Sequence, residues 1–92
     1  MNEKKYEITN IAHPHYPWLH RIRALRDVRE DVRAGDLGGF VQSEENLSQE
    51  GACWIAGNAI VAEEAYVYGD AILWDHACVR GCAAISGPSR IG

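Results

Sequence analysis

The chain has 92 residues, 47% of them hydrophobic and 24% charged, with 3 cysteines and a formal net charge of −4. That size and balance describe one globular domain and exclude a disordered or collagen-like chain. No apolar run reaches the length that crosses a bilayer, the opening MNEKKYEITN lacks the apolar stretch of a secretory signal, and Cys53, Cys78 and Cys82 are too few and too unevenly spaced for a disulfide framework. A cytoplasmic protein with reduced thiols and no membrane attachment is expected.

Charge is divided unevenly. Residues 1–33 carry seven Lys or Arg against five carboxylates, whereas residues 34–92 carry only Arg80 and Arg90 against eight. Phosphate contacts need clustered Lys and Arg, so nucleic acid is not an expected ligand of the second half. Its acidic groups either meet a basic protein surface or keep a solvated face soluble.

In chain order, KYEITNI (5–11) alternates well enough to predict a strand, and HPHYP (13–17), with Pro14 and Pro17, predicts a loop. Residues 18–32 fit two readings. Trp18, Ile22, Leu25 and Val32 would line one face of a helix with arginines on another, or the segment is a strand.

From Gly51 the chain divides without a gap into GACWIA, GNAIVA, EEAYVY, GDAILW, DHACVR, GCAAIS and GPSRIG. The third place is always small (Cys53, Ala59, Ala65, Ala71, Ala77, Ala83, Ser89) and the fifth always branched aliphatic (Ile55, Val61, Val67, Leu73, Val79, Ile85, Ile91). Neither a helix nor a lone strand repeats every six residues, so the period belongs to a larger repeating unit. In a short strand the third and fifth places share a face and look inward, the fourth and sixth look outward, and the first two, rich in Gly, Asn and Asp, turn a corner.

This pattern resembles the hexapeptide-repeat family of left-handed parallel β-helices; the resemblance implies that three hexads make one triangular coil and that side chains eighteen residues apart stack. Residues 21–59 also resemble the leader of a subset of that family found in bacteria and bacteriophages. The matching pieces are a basic strand, the AGDLGG turn at Ala34–Gly39, Phe40, NLS at Asn46–Ser48, and GACW at Gly51–Trp54. The leader tips residues 19–28 toward a strand. The expected fold is therefore all-β: a short left-handed parallel β-helix, or triangular solenoid, over residues 34–92, with an N-terminal β-rich cap over residues 1–33, in one compact domain.

Stacking at eighteen residues would place Trp54 beside Ile72 and Ala56 beside Trp74 on one side, Ile60, Ala62, Cys78 and Arg80 on the next, and Tyr66 and Tyr68 with Ala84 and Ser86 on the third. Trp54, Ile72, Trp74, Tyr66 and Tyr68 are the candidate partner-binding residues, because clustered exposed aromatic and aliphatic groups mark contact surfaces. The alternative is that residues 1–20 pack across the tryptophan face. Ile85 and Ile91, at an end with no visible cap, are expected to be covered by a second copy in a homodimer.

Proteins the hexads resemble are often acyltransferases with a His as general base. The one His in the repeat, His76, sits at a corner place and is expected in solvent, so no catalytic residue is assigned. His13, His15 and His20 lack carboxylate or cysteine partners at ligand spacing, and Cys78 and Cys82 occupy different places of adjacent hexads; no metal site and no cofactor is expected. The sequence reads best as a non-enzymatic, phage-type protein-interaction module, in its narrowest form an anti-CRISPR-like inhibitor of a host defence complex. The alternatives are an acyltransferase-like hexapeptide-repeat enzyme and a purely structural, self-assembling β-solenoid.

Overall fold

A computed structural model describes residues 4–87 and the backbone of residues 90 and 91. The described residues are all-β apart from one 3-10 turn, and no helix among them is long and apolar enough to cross a membrane. Three longer strands come first: β1 (Tyr6–Ala12), β2 (His20–Ala24) and β3 (Leu37–Val41). They pair antiparallel in that order, with Ile8 opposite Ile22 and Arg21 opposite Phe40. The ambiguous segment is thus a strand, but a shorter one than residues 19–28. It ends at Ala24 because the chain turns there into a small bridge between Arg29 and Val32.

After the 3-10 turn Glu44–Asn46, the hexads contribute seven two-residue strands: β4 (Trp54–Ile55), β5 (Ile60–Val61), β6 (Tyr66–Val67), β7 (Ile72–Leu73), β8 (Cys78–Val79), β9 (Ala84–Ile85) and β10 (Arg90–Ile91). They form three parallel ladders, β4–β7–β10, β5–β8 and β6–β9. Each is in a register of three hexads, with Ile55 beside Leu73, Val61 beside Val79 and Val67 beside Ile85. The leader joins this stack: β3 pairs parallel with β5 through Phe40 and Ile60, and Leu47 bridges Val67. Here the register is twenty residues rather than eighteen on both sides of the 3-10 turn, and the two extra residues lie between Leu47 and Trp54, where the register becomes eighteen.

The first place of every hexad takes a positive φ, from 57° at Asp75 to 74° at Gly81. Five of the seven are glycine, the residue that enters this region without strain. At Gly51 space adds to the requirement, since a Cβ would lie 2.5 Å from the carbonyl oxygen of Gly69 in the neighbouring rung. The third and fifth places fill the interior: Cys53, Ala59, Ala65, Ala71 and Ala77 are buried, as are Ile55, Val61, Val67, Leu73 and Val79. Small residues beside the corner leave room for the aliphatics between the ladders. Burial fades where β8 and β9 have, among the described residues, a neighbour on one side only, leaving Ala83 exposed and Ile85 half-buried. The side chain of Ile91, paired with Ile85 in the expected end contact, lies outside the described residues.

At the opposite end a charged side chain, Lys5, enters the interior. Lys5 is fully buried, and its Nζ donates to the carbonyl oxygen of Cys53 (2.8 Å), to that of Glu50 (3.3 Å) and to Cys53 Sγ (3.1 Å). Beside it the Tyr6 hydroxyl donates to the carbonyl of Leu47 at 2.6 Å, and Gln49 Oε1 accepts from the backbone N–H of Lys5 at 2.7 Å. The start of β1 is thereby tied to residues 47–53, and carbonyls at the entry to the first hexad gain donors that no neighbouring rung supplies.

Burial holds the Lys5 ammonium below its ordinary pKa of 10.5, and burial first, then Glu44, pushes the Tyr6 phenol above its ordinary 10.0. The signs differ in consequence. For Lys5 the unfolded chain binds the proton more tightly, so the cost of burying the charge is full below the folded pKa and is relieved as pH rises toward the unfolded one. For Tyr6 the folded chain keeps the proton, so stability is lost as pH climbs past the unfolded value. Urea denaturation should therefore show the wild type gaining stability relative to Lys5→Met as pH rises toward the ordinary lysine value of 10.5. A difference that does not change with pH would show that the ammonium is not held in this site.

Candidate functional site: the outward faces of the hexads

The fourth and sixth places of the hexads point outward, and three different surroundings follow from what the N-terminal strands do to each side. On the β4–β7 side, Trp54 and Ile72 are adjacent in the ladder, yet both are buried, at 1% and 7% exposure. The antiparallel strands lie over them. Tyr6 meets the indole of Trp54 edge-on, with ring centroids 6.5 Å apart, and Ile22 shares its core cluster. The Arg29 guanidinium reaches past the edge of this cover to the carbonyl of Ala52 at 2.8 Å. The expectation of Trp54 and Ile72 as a free binding surface is thus corrected: apolar area on the first side is closed by the chain's own β-rich N-terminus, which gains the burial of a whole indole.

Trp74 escapes that cover. It occupies the sixth place on the same side, remains 46% exposed, and lines a hollow of about 430 Å³ with Arg29, Glu30, Asp31, Ala52 and Ile72. The hollow combines an aromatic wall with charges of both signs on the turn between Arg29 and Val32. That is the composition of an anchor position at a protein interface rather than of a closed small-molecule pocket.

On the β6–β9 side Tyr66 and Tyr68 are each 38% exposed and stack on one another, with centroids 5.0 Å apart and planes 19° from parallel. No strand of the N-terminal sheet pairs along this side. Two fixed rings thus present their faces outward with little side-chain entropy left to lose on contact.

The β5–β8 side is covered in part by the loop after β1. Leu19 packs with Phe40, Ile60 and Ala62 in a second, smaller core cluster, and Tyr16 and Trp18 stay exposed at its margin. Further along, the same loop brings His13 and His15 to the corner of the hexads. There they line a groove of about 460 Å³ together with Arg21, Phe40, Asn58 and His76. Arg21 is fixed by three acceptors, the carbonyls of Gly38 (2.9 Å) and Gly57 (3.1 Å) and Oδ1 of Asn58 (2.9 Å), and its guanidinium lies 4.3 Å from the Phe40 ring centroid. His20, the fourth histidine, is not among the residues lining it. His76 is exposed, as its corner place suggests, but it stands beside the loop histidines rather than alone. Sequence spacing gave no sign of this meeting, which depends on where the loop of residues 13–19 lands.

Among the described residues no three or more His, Cys, Asp or Glu are arranged to hold a metal ion. Cys53 is buried and free, whereas Cys78 and Cys82 are exposed and free. Cys82 Sγ lies 3.3 Å from a Glu64 carboxylate oxygen, whose hydrogen bond and charge raise its pKa and keep it from acting as a ready thiolate.

No family's sequence profile matches the chain. It is similar to an uncharacterized acetyltransferase of Escherichia coli strain K12, YdcK, with 36% identity over 63 residues. The match covers 61% of this chain and 19% of that protein, so the chain spans about a fifth of the length of its relative.

Proposed function

We propose that residues 34–92 form a short left-handed parallel β-helix capped by residues 1–33, and that the protein is a non-enzymatic interaction module that binds a protein partner through its exposed outward aromatics. The three-hexad register of all three parallel ladders supports the coil, and the likeness to part of YdcK is compatible with it. The observation that carries the function is Trp74, a large ring left half-exposed at a charged hollow on the side where its neighbours Trp54 and Ile72 are sealed. Tyr66 and Tyr68 extend the same kind of surface on another side. A phage-type inhibitor of a host defence complex is the narrowest form of this reading. A homodimer through the end that carries Ile85 belongs to the same proposal, because β8 and β9 each have one neighbour among the described residues and a free strand edge is a ready pairing surface.

Affinity capture from bacterial lysate with the full chain tests it. Trp74→Ser should weaken retention of the same captured protein by about thirtyfold, the cost of one hot-spot aromatic, without lowering the melting temperature. Trp54→Ser is unsuitable for this purpose because it strikes the core. Equal capture by wild type and Trp74→Ser would overturn the reading.

A second reading, an acyltransferase-like enzyme, is favoured by the likeness to an uncharacterized acetyltransferase and by the position of His76 in a groove. Acetyl-CoA turnover that His76→Ala abolishes would replace the interaction reading with this one.

A further inference from the structure

We infer that the groove formed by His13, His15, Arg21 and His76 is a binding site for a phosphate-type dianion, either free phosphate or a phosphate monoester. The chain is acidic overall, yet among the described residues no carboxylate lines this groove; its lining there is three imidazoles, one guanidinium, Asn58, Pro14 and the apolar Phe40 and Ile60. Four potential cationic or donor groups from three separate segments meet there: the loop after β1, strand β2 and the corner after β7. A purely structural corner would not gather them, because like-charged groups brought together destabilise one another as pH falls. The arrangement does not suit a metal, for no ligand set exists among the described residues.

Arg21 is pre-positioned. Three of its five N–H donors are taken by Gly38, Gly57 and Asn58, and the planar group rests on Phe40. A guanidinium fixed in this way loses little freedom when an oxyanion arrives. His13 is held too. Its Nδ1 accepts the backbone N–H of His15 at 3.0 Å, so the neutral ring carries its proton on Nε2 and can donate it. The same ring meets Phe40 edge-on at 4.6 Å.

The groups facing the groove from each element are His13 and His15 on the loop, Arg21 on β2 and His76 at the corner, with Asp75 the neighbour of His76 in the chain. Burial, with His15 and Arg21 nearby, holds the His13 imidazole below its ordinary value. A bound dianion favours the charged form of an imidazole free to donate from both nitrogens, so binding strengthens as pH falls through the ordinary histidine range, while His13, with Nδ1 engaged as an acceptor, serves as a neutral Nε2–H donor. This inference does not depend on the interaction reading above, which uses other faces.

The test is an NMR titration of the imidazole resonances of the full chain, with inorganic phosphate and phenyl phosphate as separate probes and sodium chloride at matched ionic strength as control. At about pH 6, where imidazoles change charge, phosphate should shift the signals of His13, His15 and His76 saturably, while His20 is left unmoved. His15→Gln and His76→Gln, both at exposed positions, should each weaken binding about tenfold, the equivalent of one charge-assisted hydrogen bond. Tighter binding of phenyl phosphate assigns the groove to a monoester, and tighter binding of inorganic phosphate assigns it to the free ion; either result upholds the site. Shifts reproduced by chloride, shifts that include His20 equally, or undiminished binding by a His15→Gln/His76→Gln double variant would overturn it.

Discussion

Replacing Asn46 by alanine should lower the stability of the fold by about 3 to 5 kcal/mol, with a fall in the thermal midpoint of roughly 15 °C or more. The side chain is completely buried and uses every hydrogen-bonding position it has. Its Oδ1 accepts the backbone N–H groups of Gln42 (2.9 Å) and Ser43 (2.8 Å), and its Nδ2 donates to the carbonyls of Glu63 (3.1 Å) and Ala65 (2.9 Å). The bond from Ser43 closes the capping box around the 3-10 turn, that from Gln42 fixes the end of the approach to it, and the Nδ2 pair ties the turn to Glu63 and Ala65. Alanine would leave four backbone groups without this partner, one at a buried hydrogen bond and three at part-buried ones that water can partly serve, so each costs toward the low end of about 1 to 3 kcal/mol.

Asn46→Asp separates the two halves of this role. The carboxylate keeps both acceptors but turns a charge on the carbonyls of Glu63 and Ala65, so its pKa must rise on folding. That variant should recover stability as pH falls through the raised folded value, with recovery complete below the unfolded one. Calorimetry across acid pH checks both statements. An alanine variant within about 1 kcal/mol of wild type would mean that water or a shifted turn replaces the amide.

This residue also shows what a linear reading can see. Asn46 falls in the leader segment that the sequence marks as distinctive, but its importance lies in tying the 3-10 turn to the carbonyls of Glu63 and Ala65, which the pairing of Leu47 with Val67 brings beside it. The hexads were legible because a six-residue period places chemically alike residues in alike surroundings, so every repeat restates the same requirement. Where one residue answers to a partner far off in the chain, no such restatement exists. Lys5 reads as part of a charged N-terminal tail, yet its ammonium is buried against carbonyls some 48 residues away. Trp54 and Trp74 both occupy outward places, and nothing local distinguishes them. The N-terminal strands reach the first and not the second because Gly38, with no side chain, lets β3 lie against Ile55 and Trp54. The histidine groove is of the same kind, assembled from a proline-rich loop whose landing point follows from the β1–β2 register.

The tandem glycines of β3 carry the other large effect. Gly39→Ala should cost on the order of 3 kcal/mol, because the new methyl has nowhere to go. Its Cβ would sit 2.4 Å from the carbonyl oxygen of Ala59 and 2.5 Å from Cγ2 of Ile55. The first is backbone at a corner of the hexads and the second a fully buried side chain, so neither can yield without moving β3 off its parallel partner β5. Nothing about the Gly39 backbone itself resists a side chain, since its φ is not in the left-handed region; the objection is one of space alone. Gly81 supplies the opposite case, with a φ of 74° and nothing within 4 Å of an added Cβ. Gly81→Ala should therefore cost only the left-handed backbone penalty, about 1 to 2 kcal/mol. Chemical denaturation of the two variants side by side separates the terms. If Gly81→Ala proves the more damaging, then β3 is not locked against the corner of the hexads, and the leader cannot be the piece that joins the N-terminal sheet to the parallel ladders.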